Sequence, residues 1–141
     1  GFEHTGDPRY LKTARATFDH WWDHFQTHDE KFTQGLFMVG FLLEAFVDLY
    51  EVDPDPRIVV FIGQAVDWMR ANRPDYYPTN MALAAGFLAA QRDDPQLLEL
   101  QRRCLEGYDG TPGNQFKDFA NSGRSLARAL YYLSEDSPLG R

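Results

Sequence analysis

Three times along this chain an Asp-Pro turn is followed by an amphipathic stretch, a loop and a far more apolar stretch. The turns are Thr5-Gly6-Asp7-Pro8, Asp53-Pro54-Asp55-Pro56 and Asp93-Asp94-Pro95, and the apolar stretches cover 35–50, 80–91 and 116–133. Aspartate before proline is a helix start. The carboxylate caps the unpaired amides of the first turn, and proline suits the first helical position. Prolines 8, 56 and 95 follow one another at roughly the 40–50 residues of helical-hairpin repeats. No run of alternating apolar residues competes as a strand, so the pattern predicts an all-α fold of stacked helical hairpins.

Within each pair the two helices differ. Leu11, Ala14, Phe18, Trp21, Trp22 and Phe25 form one apolar stripe, opposite Lys12, Arg15, Asp19 and Asp23. That is a helix with one buried face, ending near His28. The stretch 35–50 is apolar almost all round, which predicts a helix enclosed by neighbours. The next pair repeats this contrast. Ile58, Phe61, Ile62, Ala65, Val66 and Met69 form one buried side, and 80–91 is rich in small residues that permit close helix approach. A third one-faced helix over 96–107 precedes an enclosed one over roughly 116–134.

With 141 residues and 43% apolar content, the chain can build one packed domain. Its net charge of -7 argues against a nucleic-acid partner, which needs a basic surface. No stretch reaches the ~18 uninterrupted apolar residues of a membrane span, because Glu44 and Asp48 interrupt the best one. The single cysteine, Cys104, excludes an internal disulfide framework and leaves the compartment open. Nothing in the sequence asks for a cofactor.

The turn Thr5-Gly6-Asp7-Pro8-Arg9-Tyr10-Leu11, followed by Ala14, resembles a hairpin turn of the α/α-toroid proteins. These are the six-hairpin glycosidase-like enzymes and the toroid polysaccharide lyases. Glu51-Val52-Asp53-Pro54-Asp55-Pro56-Arg57 and Gln91-Arg92-Asp93-Asp94-Pro95 look like weaker copies. The resemblance implies that the enclosed helices line the inside of a ring and the amphipathic ones its outside. A sugar-binding cleft would then lie at the loop end, built from 28–34, 73–80 and 109–118. It implies a carbohydrate partner, acidic uronate-containing sugars included, and an activity of the glycoside hydrolase or polysaccharide lyase class. A complete ring takes about six hairpins, so this chain would be about half a ring. It would be the C-terminal part of a longer enzyme, or would close against a homodimer partner. The alternative from another class is a stand-alone helical repeat module that binds a protein or itself, without catalysis.

The candidate site residues follow from spacing. Lys117, Asn121, Arg124 and Arg128 share one helix face, where guanidinium forks could hold a uronate carboxylate or pair with nearby acids such as Asp118. Glu44 and Asp48, one turn apart, could serve as general acid and base, or could pair with a cation such as Arg57. His28, beside Asp29 and Glu30 at a loop, is a candidate for proton transfer. Tyr76, Tyr77 and Asn80 could line a cleft by stacking on and bonding to a sugar, or could simply pack their loop. His20, His24 and His28 recur every fourth residue but lack an evident further ligand, so they read as a solvated face and no metal is expected.

Overall fold

The computed structural model describes residues 5–27, 36–75, 79–106 and 126–133 of the chain. The helices are α1 (Pro8–Thr27), α2 (Leu36–Val52), α3 (Pro56–Asn72), α4 (Ala82–Arg92) and α5 (Pro95–Glu106). A 3-10 turn, Thr79–Met81, leads into α4, and a final helical segment spans 126–131. Among the described residues there is no strand, and the fold is all-α.

The three Asp-Pro starts are built alike. Asp55 sits in extended backbone, and its carboxylate accepts the Arg57 backbone N–H at 2.9 Å. Asp7 accepts the Arg9 N–H at 2.9 Å, and Asp94 accepts that of Gln96 at the same distance. In the first two copies the arginine also folds back on the capping carboxylate, with Nη2 at 2.6 Å from Asp7 and 2.7 Å from Asp55. The helix ends are equally local. Asp93 takes the left-handed conformation (φ 50°) and donates its N–H to Ala89 at 2.9 Å, closing α4. Aspartate is one of the few non-glycine residues that tolerate this backbone.

The core follows the two helix types. On α1 only Phe18 and Phe25 are fully buried, while Leu11, Ala14, Trp21 and Trp22 pack against the core from its edge. Every residue of α4 from Ala82 to Ala89 is buried, as its small side chains allow. It packs most extensively on α5 and also touches α2 and α3. Phe18, Phe25, Phe46 and Phe61 form an aromatic cluster joining α1, α2 and α3. Phe61 has its ring centroid 5.0 Å from Phe25 and 5.2 Å from Phe46. Such edge-on contacts add to the burial energy of each ring.

Two expectations need correction. Helix α2 is not enclosed all round: Leu43, Phe46, Val47 and Leu49 are buried, but Met38 is 64% exposed, and Ala45 and Asp48 are exposed too. Among the described residues α1, α3 and α4 pack on its other faces, and Asp48 of that stripe is met by Arg128 of the final segment. The stretch from Asn80 is not helical from its first residue either. It opens with the 3-10 turn, and the α-helix starts at Ala82.

Candidate functional site

His28, Tyr76, Tyr77, Lys117, Asn121 and Arg124 lie outside the described residues. Glu44, Asp48, Asn80 and Arg128 lie within them. The structure brings two of these four directly together.

Arg128, on the final segment, reaches back to α2. Its Nη1 bonds to Asp48 Oδ1, and its Nη2 donates to Glu51 Oε1 at 2.9 Å. Burial pulls the guanidinium pKa down, but the two carboxylates together outweigh it and the net shift is upward. Asp48 and Glu51 lie one turn apart on α2, so one fork spans both. The segment is held at two further points. Gln101 Nε2 of α5 donates to the Ala129 carbonyl at 2.5 Å, and Tyr132 packs where a Cβ on Gly86 would fall 2.9 Å from its own Cβ. Tyr132 is pushed up to about 12, by burial first and then by the Glu51 charge. The arrangement anchors the last helical segment to α2, α4 and α5.

Glu44 is 3% exposed, whereas the Asp48 side chain is 56% exposed and engaged by Arg128. Helical spacing put both on one face, but their surroundings differ completely. Asn80 is 4% exposed and lies in the 3-10 turn, where its amide covers Gly40 of α2. Any Cβ at position 40 would overlap that amide. Asn80 therefore sits in the seam between the starts of α2 and α4, and glycine at 40 is what lets them meet.

Sequence reasoning missed Glu51 and Gln101. Glu51 could have been found, because it follows Asp48 by three residues on the same helix. Gln101 reads as one polar residue on an amphipathic helix, and only the tertiary structure shows it 0% exposed. Cys104 is buried and its thiol is pushed up to about 12, which keeps it protonated and unreactive at neutral pH. His20 and His24 stack with ring centroids 6.5 Å apart on α1. Among the described residues no group of three or more His, Cys, Asp or Glu side chains is placed to hold a metal. None of the described helices is long and apolar enough to cross a membrane. No family model, curated protein or solved structure matches the chain.

Proposed function

We propose that this chain forms part of a carbohydrate-active α/α-toroid enzyme, of the glycoside hydrolase or polysaccharide lyase class. It would contribute one side of a sugar-binding cleft at the loop end of its hairpins. The observation that supports the reading is the recurrence of one cap, with the same atoms and the same 2.9 Å bond, at Asp7, Asp55 and Asp94. Each time it opens the amphipathic helix of a pair, as the resemblance expects. In this picture His28 would move protons, Tyr76, Tyr77 and Asn80 would lie along the cleft, and Lys117, Asn121 and Arg124 would hold an acidic sugar. Glu44 is buried and Asp48 is tied to Arg128 near the Asp-Pro end of α2, so neither is carried into this role. Arg128, already bound to Asp48 and Glu51, contributes by fixing the segment 126–131 against α2. The test is titration with an oligouronate and with a neutral oligosaccharide of equal length. Loss of one guanidinium contact in Arg124→Ala should weaken the oligouronate about 10- to 100-fold and leave the neutral sugar unchanged. Equal affinities in both titrations would remove Arg124 from this role, and no binding of either sugar would remove the carbohydrate reading.

A second reading, the stand-alone module, is favoured by the Arg128 bridge. Neighbouring helices lie about 8–10 Å apart, and the first and third inner helices of an open ring are not neighbours. Here a direct ion pair joins α2 to the final segment. Light scattering with a thermal melt separates the two. A cooperative melt of a monomer supports a self-contained module, and a mass of two chains supports closure by a second copy.

A further inference from the structure

One face of α5 repeats a pattern that α1 uses. Three, seven, ten and eleven residues after Pro8 stand Leu11, Arg15, Phe18 and Asp19, and at the same steps after Pro95 stand Leu98, Arg102, Leu105 and Glu106. On α1 this set grips the next Asp-Pro turn. Arg15 donates to Asp55, Asp19 accepts from Arg57, and the Phe18 ring lies under the Arg57 guanidinium. On α5 Arg102 and Glu106 are exposed, Leu98 and Leu105 are half-buried, and no ion pair among the described residues engages either charge. We infer that this face docks the Asp7-Pro8-Arg9 turn of a second copy of the chain, head to tail.

Position, more than charge, carries the inference. Arg70 and Arg73 also lack a carboxylate among the described residues, but they stand fourteen and seventeen residues after Pro56, where α1 has Trp22 and Phe25. Helical spacing would let Arg102 pair with Glu106 on its own helix, yet the pair that forms on α5 is Arg103 with Glu99. Arg15 and Asp19 are spaced alike on α1, and each reaches the turn instead. Helix α3 keeps the scheme with a substitute. Seven residues after Pro56 stands Gly63, and a Cβ there would overlap the Arg92 guanidinium. Arg92 in turn lies 3.8 Å from Asp67, eleven residues after Pro56. An arginine thus meets the acid at this step on α1 and on α3. On α5 the matching acid, Glu106, lacks one.

The complement lies at the other edge of the stack. Asp7-Pro8-Arg9 is the same turn as Asp55-Pro56-Arg57, without a helix to grip it. The Arg9 side chain is 87% exposed against 43% for Arg57, and Asp7 is 25% exposed against 12% for Asp55. Tyr10 is 53% exposed, whereas Ile58, at the same step after its proline, is fully buried. Docked as the turn is within the chain, Arg102 would donate to Asp7 and Arg9 to Glu106, and Tyr10 would be covered. A head-to-tail contact uses two different surfaces, so a ring of two copies forms it twice. Exposed ion pairs are weak singly, and forming both contacts in one dimer adds their effects. The inference rests on the reading of a module closed by a second copy and names the surfaces that close it.

The experiment is sedimentation equilibrium of the whole chain at concentrations up to about 0.5 mM, where a dimer with a Kd near or below about 100 μM should form. Arg102→Glu, Arg9→Glu and Glu106→Arg should each weaken dimerisation about tenfold or more, because each turns an attraction into a repulsion in both contacts. Lys12→Glu makes the same charge change as Arg9→Glu on an exposed residue of α1 outside the turn, and should not. An equal mixture of the Arg9→Glu and Glu106→Arg chains should recover the lost affinity, because only the mixed dimer restores opposite charges across both contacts. All four side chains are exposed, and circular dichroism checks that the fold is kept. The inference is overturned if the chain stays monomeric, if Lys12→Glu weakens dimerisation as much as Arg9→Glu, or if the mixture associates no better than its components. A dimer indifferent to all four changes keeps the module reading and discards this contact. A monomer whose melting temperature falls with Arg102→Glu gives the face to the chain's own residues, which also overturns the inference.

Discussion

The two ends of the helix stack are joined in different ways. At the Asp-Pro end, arginine and aspartate tie separate helices together. Arg15 of α1 donates Nε to Asp53 at 2.9 Å and Nη1 to Asp55 at 2.8 Å, gripping the turn between α2 and α3. Arg57 of α3 returns the contact, donating to Asp19 of α1 at 3.0 Å while lying 5.3 Å over the Phe18 ring. At the other end, α2 and α4 meet through a glycine and a buried amide. Charge at the first end holds hairpins in register. The second end is held by close packing of Asn80 against Gly40.

The largest effect should come from the aromatic cluster beneath the Asp-Pro network. Phe61 is 0% exposed and touches rings from α1 and α2. Phe61→Ala should cost about 3–5 kcal/mol by denaturant unfolding. A loss near 1 kcal/mol would mean that α1 is held by its ion pairs and not by packing. Next comes the seam at the opposite end. Gly40→Ala drives a Cβ into the Asn80 amide and should cost about 1–3 kcal/mol. Adding Asn80→Ala should recover part of that loss, and simple additivity of the two would show that they do not touch.

The caps themselves allow a finer comparison. Asp55 closes α3 and also meets Arg15 and Arg57, with its side chain only 12% exposed. Asp55→Ala should cost about 1–2 kcal/mol. Asp7 makes the same cap, but its partner arginine is 87% exposed and it bonds to no other helix, so Asp7→Ala should cost clearly less. Equal losses would make the cap, and not the link between helices, the source of stability. The sign with pH follows. The Arg57 bond holds the Asp55 carboxyl below its ordinary value, so its contribution is present above about pH 4 and is lost as pH falls through the folded value. Cys104 and Tyr132 act at the other extreme. Both are pushed up to about 12 by burial, so stability falls as pH rises above about 9, where the unfolded chain starts to lose those protons and the folded chain does not. A Cys104→Ala variant should flatten that alkaline slope.

These contrasts also mark what the sequence could tell. The caps were legible because Asp, Pro and Arg act within three residues of one another. The burial of α4 was legible because its small side chains suit only a crowded place. The uncovered stripe on α2 was not, since Met38 and Ala45 are apolar and carry no sign of facing outward. Pairing of Asp48 with a cation was one of the expected readings, but which cation was not legible. Helical spacing identified its face, but its partner lies 80 positions away on another segment.

The smallest expected effect is the sharpest test of the comparison between the ends. Arg73 is exposed and makes no side-chain ion pair among the described residues, so Arg73→Gln should change stability by no more than about 0.5 kcal/mol. Arg15→Gln should cost more, because it strips Asp53 and Asp55 of a part-buried partner and loosens α1 from the turn. Parallel thermal melts read both. A loss matching that of Arg15→Gln would place Arg73 among the structural arginines and erase the contrast between the two ends.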